Sequence, residues 1–167
     1  NYVSIDRANR VLAAMDNVKA KPGEEGLKDR YKGELLALRA YCHFELIRNF
    51  AEKYETGAMG VPYMEVSSVD GSPARLSFGE TIAKINADLT AAKALIPADF
   101  NDNTRITRIA VSAMQARAAL YEKNWDNAIT YSTEAINALP LASRTNFPKV
   151  WRDASEDEVF WRLKRVT

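Results

Sequence analysis

The apolar positions at the start of the chain recur at helical spacing in two segments. In the first segment they lie mostly three or four residues apart, at Ile5, Ala8, Leu12, Met15 and Val18. After the break "KAKPGEEG", a second helix is predicted from about Lys28 to Tyr54. It carries two apolar stripes: Tyr31, Leu35, Leu38, Cys42 and Leu46 on one, and Leu36, Ala40, Phe44 and Ile47 on the other. A helix with two apolar faces is expected to have neighbours on two sides.

Residues 55–77 have no helical period. They contain three of the seven glycines, two of the six prolines and four serines, a composition typical of turns and loops. We therefore predict a long, ordered loop insertion at residues 55–77, and not a linker to a second domain.

Three further helices are predicted after the insertion. Ser77 and Glu80 form a capping-box pattern before a stripe that ends at Pro97. This stripe consists of Ile82, Ile85, Leu89, Ala92 and Ile96. Thr107 is placed to cap a fourth helix, which carries Ile109, Ala113, Ala116 and Leu120. The fifth carries Ala128, Ser132, Ala135 and Leu139, and Pro140 follows its end.

The last part of the chain shows a different pattern. Residues 141–157 are irregular, and "EVFWRLK" at residues 158–164 alternates in the way that indicates a strand. A lone strand leaves backbone groups unpaired. Because no second strand is evident, we expect the parent protein to continue beyond Thr167 and to supply one.

The amino-acid composition argues against several classes of function. The 167 residues, 47% of them hydrophobic, are expected to form a single domain over residues 1–167. The 23 basic and 22 acidic residues leave no strong field to attract nucleic acid. One cysteine and one histidine argue against a metal site, a cofactor or thiol chemistry. Acidic pairs such as Asp153 and Glu156 have no catalytic neighbours in the sequence, so no catalytic residues and no enzymatic activity are expected.

Small residues in the second half of the chain follow the spacing of a helical repeat. Ala116, Ala128, Ala135 and Pro140 are twelve, seven and five residues apart, which is the spacing of the small and proline positions in the tetratricopeptide repeat. The best repeat spans residues 107–140. Trp125 lies at its turn, and we expect the indole to pack between the fourth and fifth helices.

Five blocks, in order, resemble the amino-terminal half of the SusD/RagB family. They are "GELLALRAYCHFELIRNF", "GVPYMEV", "RLSFGETIAKINADLTAAKALIP", "TRITRIAVSAMQARAALYEKNWDNAI" and "EDEVFW". The resemblance implies a surface-exposed outer-membrane lipoprotein of a Gram-negative bacterium, without enzymatic activity. Such a protein binds glycans or other nutrients for a TonB-dependent, SusC-like transporter. The chain lacks the lipid-modified cysteine of the family, and it is much shorter than family members, so membrane attachment is expected only through an anchor outside it.

The expected fold is thus mainly α, with tetratricopeptide-like helix pairs in an α-α superhelix, an inserted loop and a C-terminal strand. The expected function is glycan capture for an outer-membrane transporter. The alternative is a tetratricopeptide-type module that binds another protein and has no small-molecule ligand of its own, since the concave face of such a solenoid is a general protein-binding surface.

Sugar binding needs flat aromatic faces bracketed by hydrogen-bonding side chains. The insertion offers Tyr63, Asp70 and Arg75 as ligand-binding candidates, with Tyr54 beside them. The structural alternatives are that Tyr63 follows Pro62 into the core and that Arg75 pairs with a helix end.

The sequence also suggests positions for three other residues. His43 is expected to be a packed core residue. Trp151 and Trp161 are either a second aromatic platform or packing residues.

Overall fold

The structure is a computed structural model that describes residues 1–68 and 70–163. The described residues form six helices: α1 Tyr2–Met15, α2 Glu25–Phe50, α3 Phe78–Leu95, α4 Arg108–Glu122, α5 Trp125–Ala138 and α6 Phe147–Val150. The mainly α fold is therefore confirmed. The first five helices match the sequence pattern, with differences at their ends. Helix α1 stops at Met15 before the exposed Val18, and α2 begins and ends earlier than predicted.

Helix α2 lies at the centre of the fold. It packs against α1 and most extensively against α3, and both of its apolar stripes contribute buried residues. Gly33 permits the close contact with α3, because a Cβ at this position would lie 2.8 Å from Cγ1 of Ile96 and 3.0 Å from the carbonyl oxygen of Ala92. The two-sided pattern of α2 therefore corresponds to a central helix.

The predicted helix starts are confirmed at α3 and α4. The Ser77 side chain accepts a hydrogen bond from the Glu80 N–H, and the Glu80 carboxylate accepts one from the Ser77 N–H. At α4, the Thr107 hydroxyl accepts from the Ala110 N–H at 3.1 Å. These bonds satisfy backbone donors that a helix start otherwise leaves unpaired.

The expectation that Trp125 packs between the fourth and fifth helices is wrong. Trp125 is the first residue of α5, and 57% of it is exposed. Lys123, in the left-handed conformation with φ 61°, ends α4 and turns the chain into α5. The buried residues of this hairpin include the small Ala119 on α4 and Ala135 on α5. Small side chains thus provide the close contact, and the indole remains outside it.

Replacing Trp125 with alanine is consequently expected to lower the free energy of unfolding by about 1 kcal/mol or less, because most of the side chain is already in water. Urea denaturation followed by circular dichroism measures this. Phe44→Ala is the matched control: Phe44 is buried against Tyr121, and its loss should cost about 3 to 5 kcal/mol. An equal loss for both variants would restore the packed position of Trp125.

The predicted C-terminal strand is wrong over the residues that can be described. Residues 158–163 have no strand partner, and Lys164 lies outside the described residues. Glu158 has φ 65°, which interrupts extended backbone, and the Arg162 N–H donates instead to the Asn103 carbonyl at 2.9 Å. The segment upstream, predicted to be irregular, contains the single turn of α6.

Candidate functional site

The insertion begins and ends at one point on the fold. Its two ends run antiparallel, with a bridge between Met59 and Ser77 and a hydrogen bond of 2.8 Å from the Gly60 N–H to the Leu76 carbonyl. Gly60 is needed for this approach, because a Cβ there would lie 2.8 Å from the Ser77 carbonyl oxygen. The loop is therefore closed at its base.

A buried set of polar side chains holds the insertion on the helices. We call Asn9, Arg39, His43, Tyr63 and Asp88 the polar clamp. Its centre is a bidentate ion pair in which Arg39 Nε and Nη2 donate to the Asp88 carboxylate at 2.6 and 2.7 Å. Arg39 Nη1 also donates to Asn9 Oδ1 at 3.0 Å. The clamp therefore joins α1, α2 and α3 through one guanidinium.

The clamp binds both backbone groups of Met64. The Met64 N–H donates to His43 Nε2 at 3.0 Å, and Asn9 Nδ2 donates to the Met64 carbonyl at 2.9 Å. Arg39 Nη1 also reaches the Glu65 carbonyl at 3.3 Å. Because buried backbone groups need partners, these bonds fix the position of residues 61–67, which we call the anchored segment.

His43 is neutral in this arrangement. Its Nδ1 lies 2.9 Å from the Arg39 carbonyl and must donate to it, so Nε2 is free to accept from Met64. Burial lowers the pKa of His43 to about 4. The expectation of a packed, hydrogen-bonded core histidine is confirmed, since the side chain is fully buried.

Tyr63 is part of the clamp and lies in the core, as its structural alternative predicted. Its hydroxyl donates to Asp88 Oδ2 at 2.6 Å, and its ring stacks on His43 with the ring centres 3.8 Å apart. Burial and the neighbouring Asp88 carboxylate both raise the pKa of Tyr63. Tyr63 thus attaches the anchored segment to α3 through Asp88 and to α2 through His43.

A surface groove lies between the anchored segment, the start of α1 and the end of α2. It has a volume of about 890 Å³, and we call it the loop groove. Its walls are mainly apolar, from residues that include Tyr2, Phe50, Pro62 and Val66. Phe50 is 63% exposed and Tyr2 is 40% exposed. The groove therefore presents two aromatic side chains to solvent.

Arg75 lines the loop groove and also stabilises the end of α2. Its Nη2 donates to the carbonyl of Phe50, the last residue of α2, at 2.6 Å, and its Nε donates to the Gly60 carbonyl at 2.7 Å. The structural alternative for Arg75, pairing with a helix end, is confirmed.

The three predicted ligand residues have different positions. Arg75 faces the groove, Tyr63 lies buried next to it, and Asp70 is exposed on the insertion outside the groove lining. Tyr54 is engaged elsewhere, with its hydroxyl 2.7 Å from the Arg48 carbonyl. The sequence did not reveal Tyr2 and Phe50 as groove residues, because each lies at a helix end and resembles a core position.

The two C-terminal tryptophans contact different neighbours. Trp161 is half-buried and packs edge-on against Tyr41, with the ring centres 5.3 Å apart. Trp151 is 78% exposed and contacts Phe147. Trp161 is thus a packing residue, and Trp151 remains an exposed aromatic away from the loop groove.

Several solved structures are similar to this chain. A candidate sugar-binding protein of Bacteroides vulgatus is 25% identical, with a TM-score of 0.86, and the match covers 99% of this chain and 40% of that one. A SusD-like carbohydrate-binding protein of the same species is also 25% identical, with a TM-score of 0.76 and coverage of 87% and 32%. A laminarin-binding SusD-like protein, 20% identical, has a TM-score of 0.73 with coverage of 95% and 34%, and shows the fold alone.

The chain spans about two fifths or less of the length of these relatives. No curated protein matches the chain in sequence. In the described residues, no helix is both long enough and apolar enough to cross a membrane.

The family model that matches the chain covers residues 1–120 and carries the description "Starch-binding associating with outer membrane". This match includes α1 to α3, the insertion with its polar clamp, and most of α4. The chain therefore belongs to the SusD/RagB family of SusD-like proteins.

Proposed function

We propose that this protein binds glycans at the cell surface and that the loop groove is part of the binding surface. The observation that carries the proposal is a groove with two exposed aromatic side chains, Tyr2 and Phe50, on a chain of the SusD-like family. The apolar face of a pyranose packs on such rings, and polar groups at the edge pair with its hydroxyls. The proposed activity is binding without bond cleavage.

The polar clamp gives the proposed site its rigidity. Pro62, Met64 and Val66 of the anchored segment line the groove, and the clamp holds the backbone of Met64 from both sides. A wall that is already ordered costs less conformational entropy when a ligand binds. We propose that Tyr63 acts through this support and that Arg75 contacts the ligand directly. A ligand contact from Asp70 stays a prediction.

We further propose the cellular setting that the family suggests. The complete protein would be a surface-exposed lipoprotein of a Gram-negative outer membrane, held there by a lipid anchor. It would pass glycans to a TonB-dependent, SusC-like transporter. Helices α4 and α5 form a closely packed hairpin, which we interpret as a tetratricopeptide-like pair. Co-purification with a transporter barrel would test the partnership.

Affinity electrophoresis in gels that contain soluble polysaccharides tests the binding proposal. The panel contains starch, laminarin, a pectin and a xylan. We expect at least one glycan to retard the chain, and Phe50→Ala to abolish that retardation while leaving the fold intact. Trp151→Ala, which removes an exposed aromatic that does not line the groove, is the matched control and should have no effect. Absence of retardation in every gel would contradict the proposal.

A further inference from the structure

The loop groove is lined by one acidic and one basic residue, and only the acidic residue forms an ion pair within the described part of the protein. In the part of the chain that the structure describes, the charged residues of the lining are Asp6 and Arg75. Asp6 is already paired: its Oδ2 lies 2.9 Å from Arg10 Nε, and its Oδ1 accepts a hydrogen bond from the Ser67 hydroxyl at 2.5 Å. The negative charge of the groove is thus neutralised within the protein.

The positive charge of Arg75 has no such partner. Its two hydrogen bonds go to backbone carbonyls, and none of the ion pairs among the described residues includes Arg75. A guanidinium has five N–H donors, so donors remain beyond these two bonds. The carbonyl end of α2 stabilises the cation only partly, and the side chain is exposed. Arg75 can therefore donate hydrogen bonds to an anion from solution and pair with its charge.

The rings beside Arg75 determine what kind of anion fits. Tyr2 and Phe50 both line the groove, and Arg75 donates to the backbone of Phe50 itself. The Arg75 charge also acts on Tyr2, where burial raises the pKa of the hydroxyl and the cation opposes that rise. A ligand that places a flat apolar face on the rings brings its edge substituents close to the guanidinium.

We infer that the loop groove selects acidic glycans, and that Arg75 pairs with the carboxylate of a uronic acid residue whose ring packs on Tyr2 and Phe50. A carboxylate matches the planar fork of a guanidinium and accepts two parallel N–H bonds from it. This inference rests on the proposed glycan binding and deepens it by naming the ligand class.

Isothermal titration calorimetry with two matched oligosaccharides tests the inference. One is an oligogalacturonate, and the other is the same oligosaccharide with all carboxylates methyl-esterified, which keeps the rings and removes the charge. We expect the wild-type chain to bind the acidic form about tenfold more tightly, as a charge-assisted hydrogen bond predicts. Arg75→Gln should remove that preference, and Arg75→Lys should retain part of it.

Two controls separate a ligand contact from a structural effect. Lys53→Gln removes an exposed cation that does not line the groove and is in none of the ion pairs of the described residues, so it should leave the preference unchanged. Because Arg75 also caps α2, thermal unfolding must show that each variant is folded. The comparison of the two oligosaccharides on the wild-type chain does not depend on any variant.

The outcomes distinguish the inference from the proposed function. Equal binding of both oligosaccharides, or an acid preference that survives Arg75→Gln, overturns the inference and leaves glycan binding intact. Equally tight binding of a sulfated dextran also overturns it, because the groove would then select any anion. A glycan panel without any ligand overturns the proposed function itself.

Discussion

Replacing Arg39 with methionine is expected to lower the free energy of unfolding by about 3 to 5 kcal/mol, the usual cost of leaving one member of a buried ion pair without its partner. Arg39 and Asp88 are 9% and 12% exposed in their side chains. The substitution leaves the Asp88 carboxylate buried beside Tyr63 and removes the bonds to Asn9 and to the Glu65 carbonyl. Against a typical total stability of about 5 to 15 kcal/mol, this loss is large.

Urea denaturation, followed by circular dichroism, measures the change. Arg10→Met is the control, because Arg10 pairs with Asp6 on the surface and is 63% exposed, where an ion pair contributes about 1 kcal/mol or less. Adding Asp88→Asn to Arg39→Met removes the stranded charge and should recover part of the stability. If Arg39→Met cost no more than Arg10→Met, the clamp would not stabilise the fold.

Acidification from pH 6.5 to pH 4 is expected to remove about 3 kcal/mol of stability through His43 alone. The unfolded chain has an ordinary histidine pKa near 6.5, whereas burial lowers the pKa of His43 to about 4 in the folded state. The unfolded state therefore binds the proton first. The contribution of neutral His43 is complete above pH 6.5 and is lost as the pH falls towards 4.

Protonation has a structural consequence as well as an energetic one. A proton on Nε2 would face the Met64 N–H, so two donors would oppose each other and the anchored segment would lose a hydrogen bond.

The ionisable groups around the His43 ring come from every element packed on it: Tyr2 from α1, Arg39 from α2, Tyr63 and Glu65 from the insertion, and Asp88 from α3.

The comparison of wild type with His43→Gln isolates this effect, because other titrating groups contribute equally to both proteins. At pH 7 the variant should be the less stable of the two, and the difference should shrink by about 3 kcal/mol at pH 4. His43 is the only histidine in the chain, so its ring signals in an NMR titration also report the pKa directly. A midpoint near 6.5 would show that the ring is not buried as described.

Local patterns in the sequence predicted the helices well because their causes are local. The capping box of α3 joins residues three apart, and the stripes of α2 follow from helical geometry. The failures concern contacts between distant residues. Alternation at residues 158–163 resembles a strand, but Glu158 turns the backbone and the segment binds Asn103, 59 residues before Arg162 (162 − 103).

The candidate site was predictable only in part for the same reason. The insertion was recognised from its composition, and Arg75 was recognised as one of its residues. The polar clamp joins residues far apart in the chain, such as His43 with Met64, 21 residues apart, and Arg39 with Asp88, 49 apart. The spacing of apolar residues along one helix carries no information about such distant pairs. Tyr2 and Phe50 become groove residues only when α1, α2 and the insertion are packed together.

The most direct test of the account is an NMR titration of the isotopically labelled chain with the glycan that retards it most strongly. We predict that backbone amide shifts cluster at residues 2–6, 46–50, 61–68 and 71–75, which contain the lining of the loop groove. Residues 125–138 of α5 should stay unchanged. Shifts that cluster on α5, or a saturating glycan that leaves the loop groove residues unshifted, would contradict the claim that this groove is where the protein binds glycans.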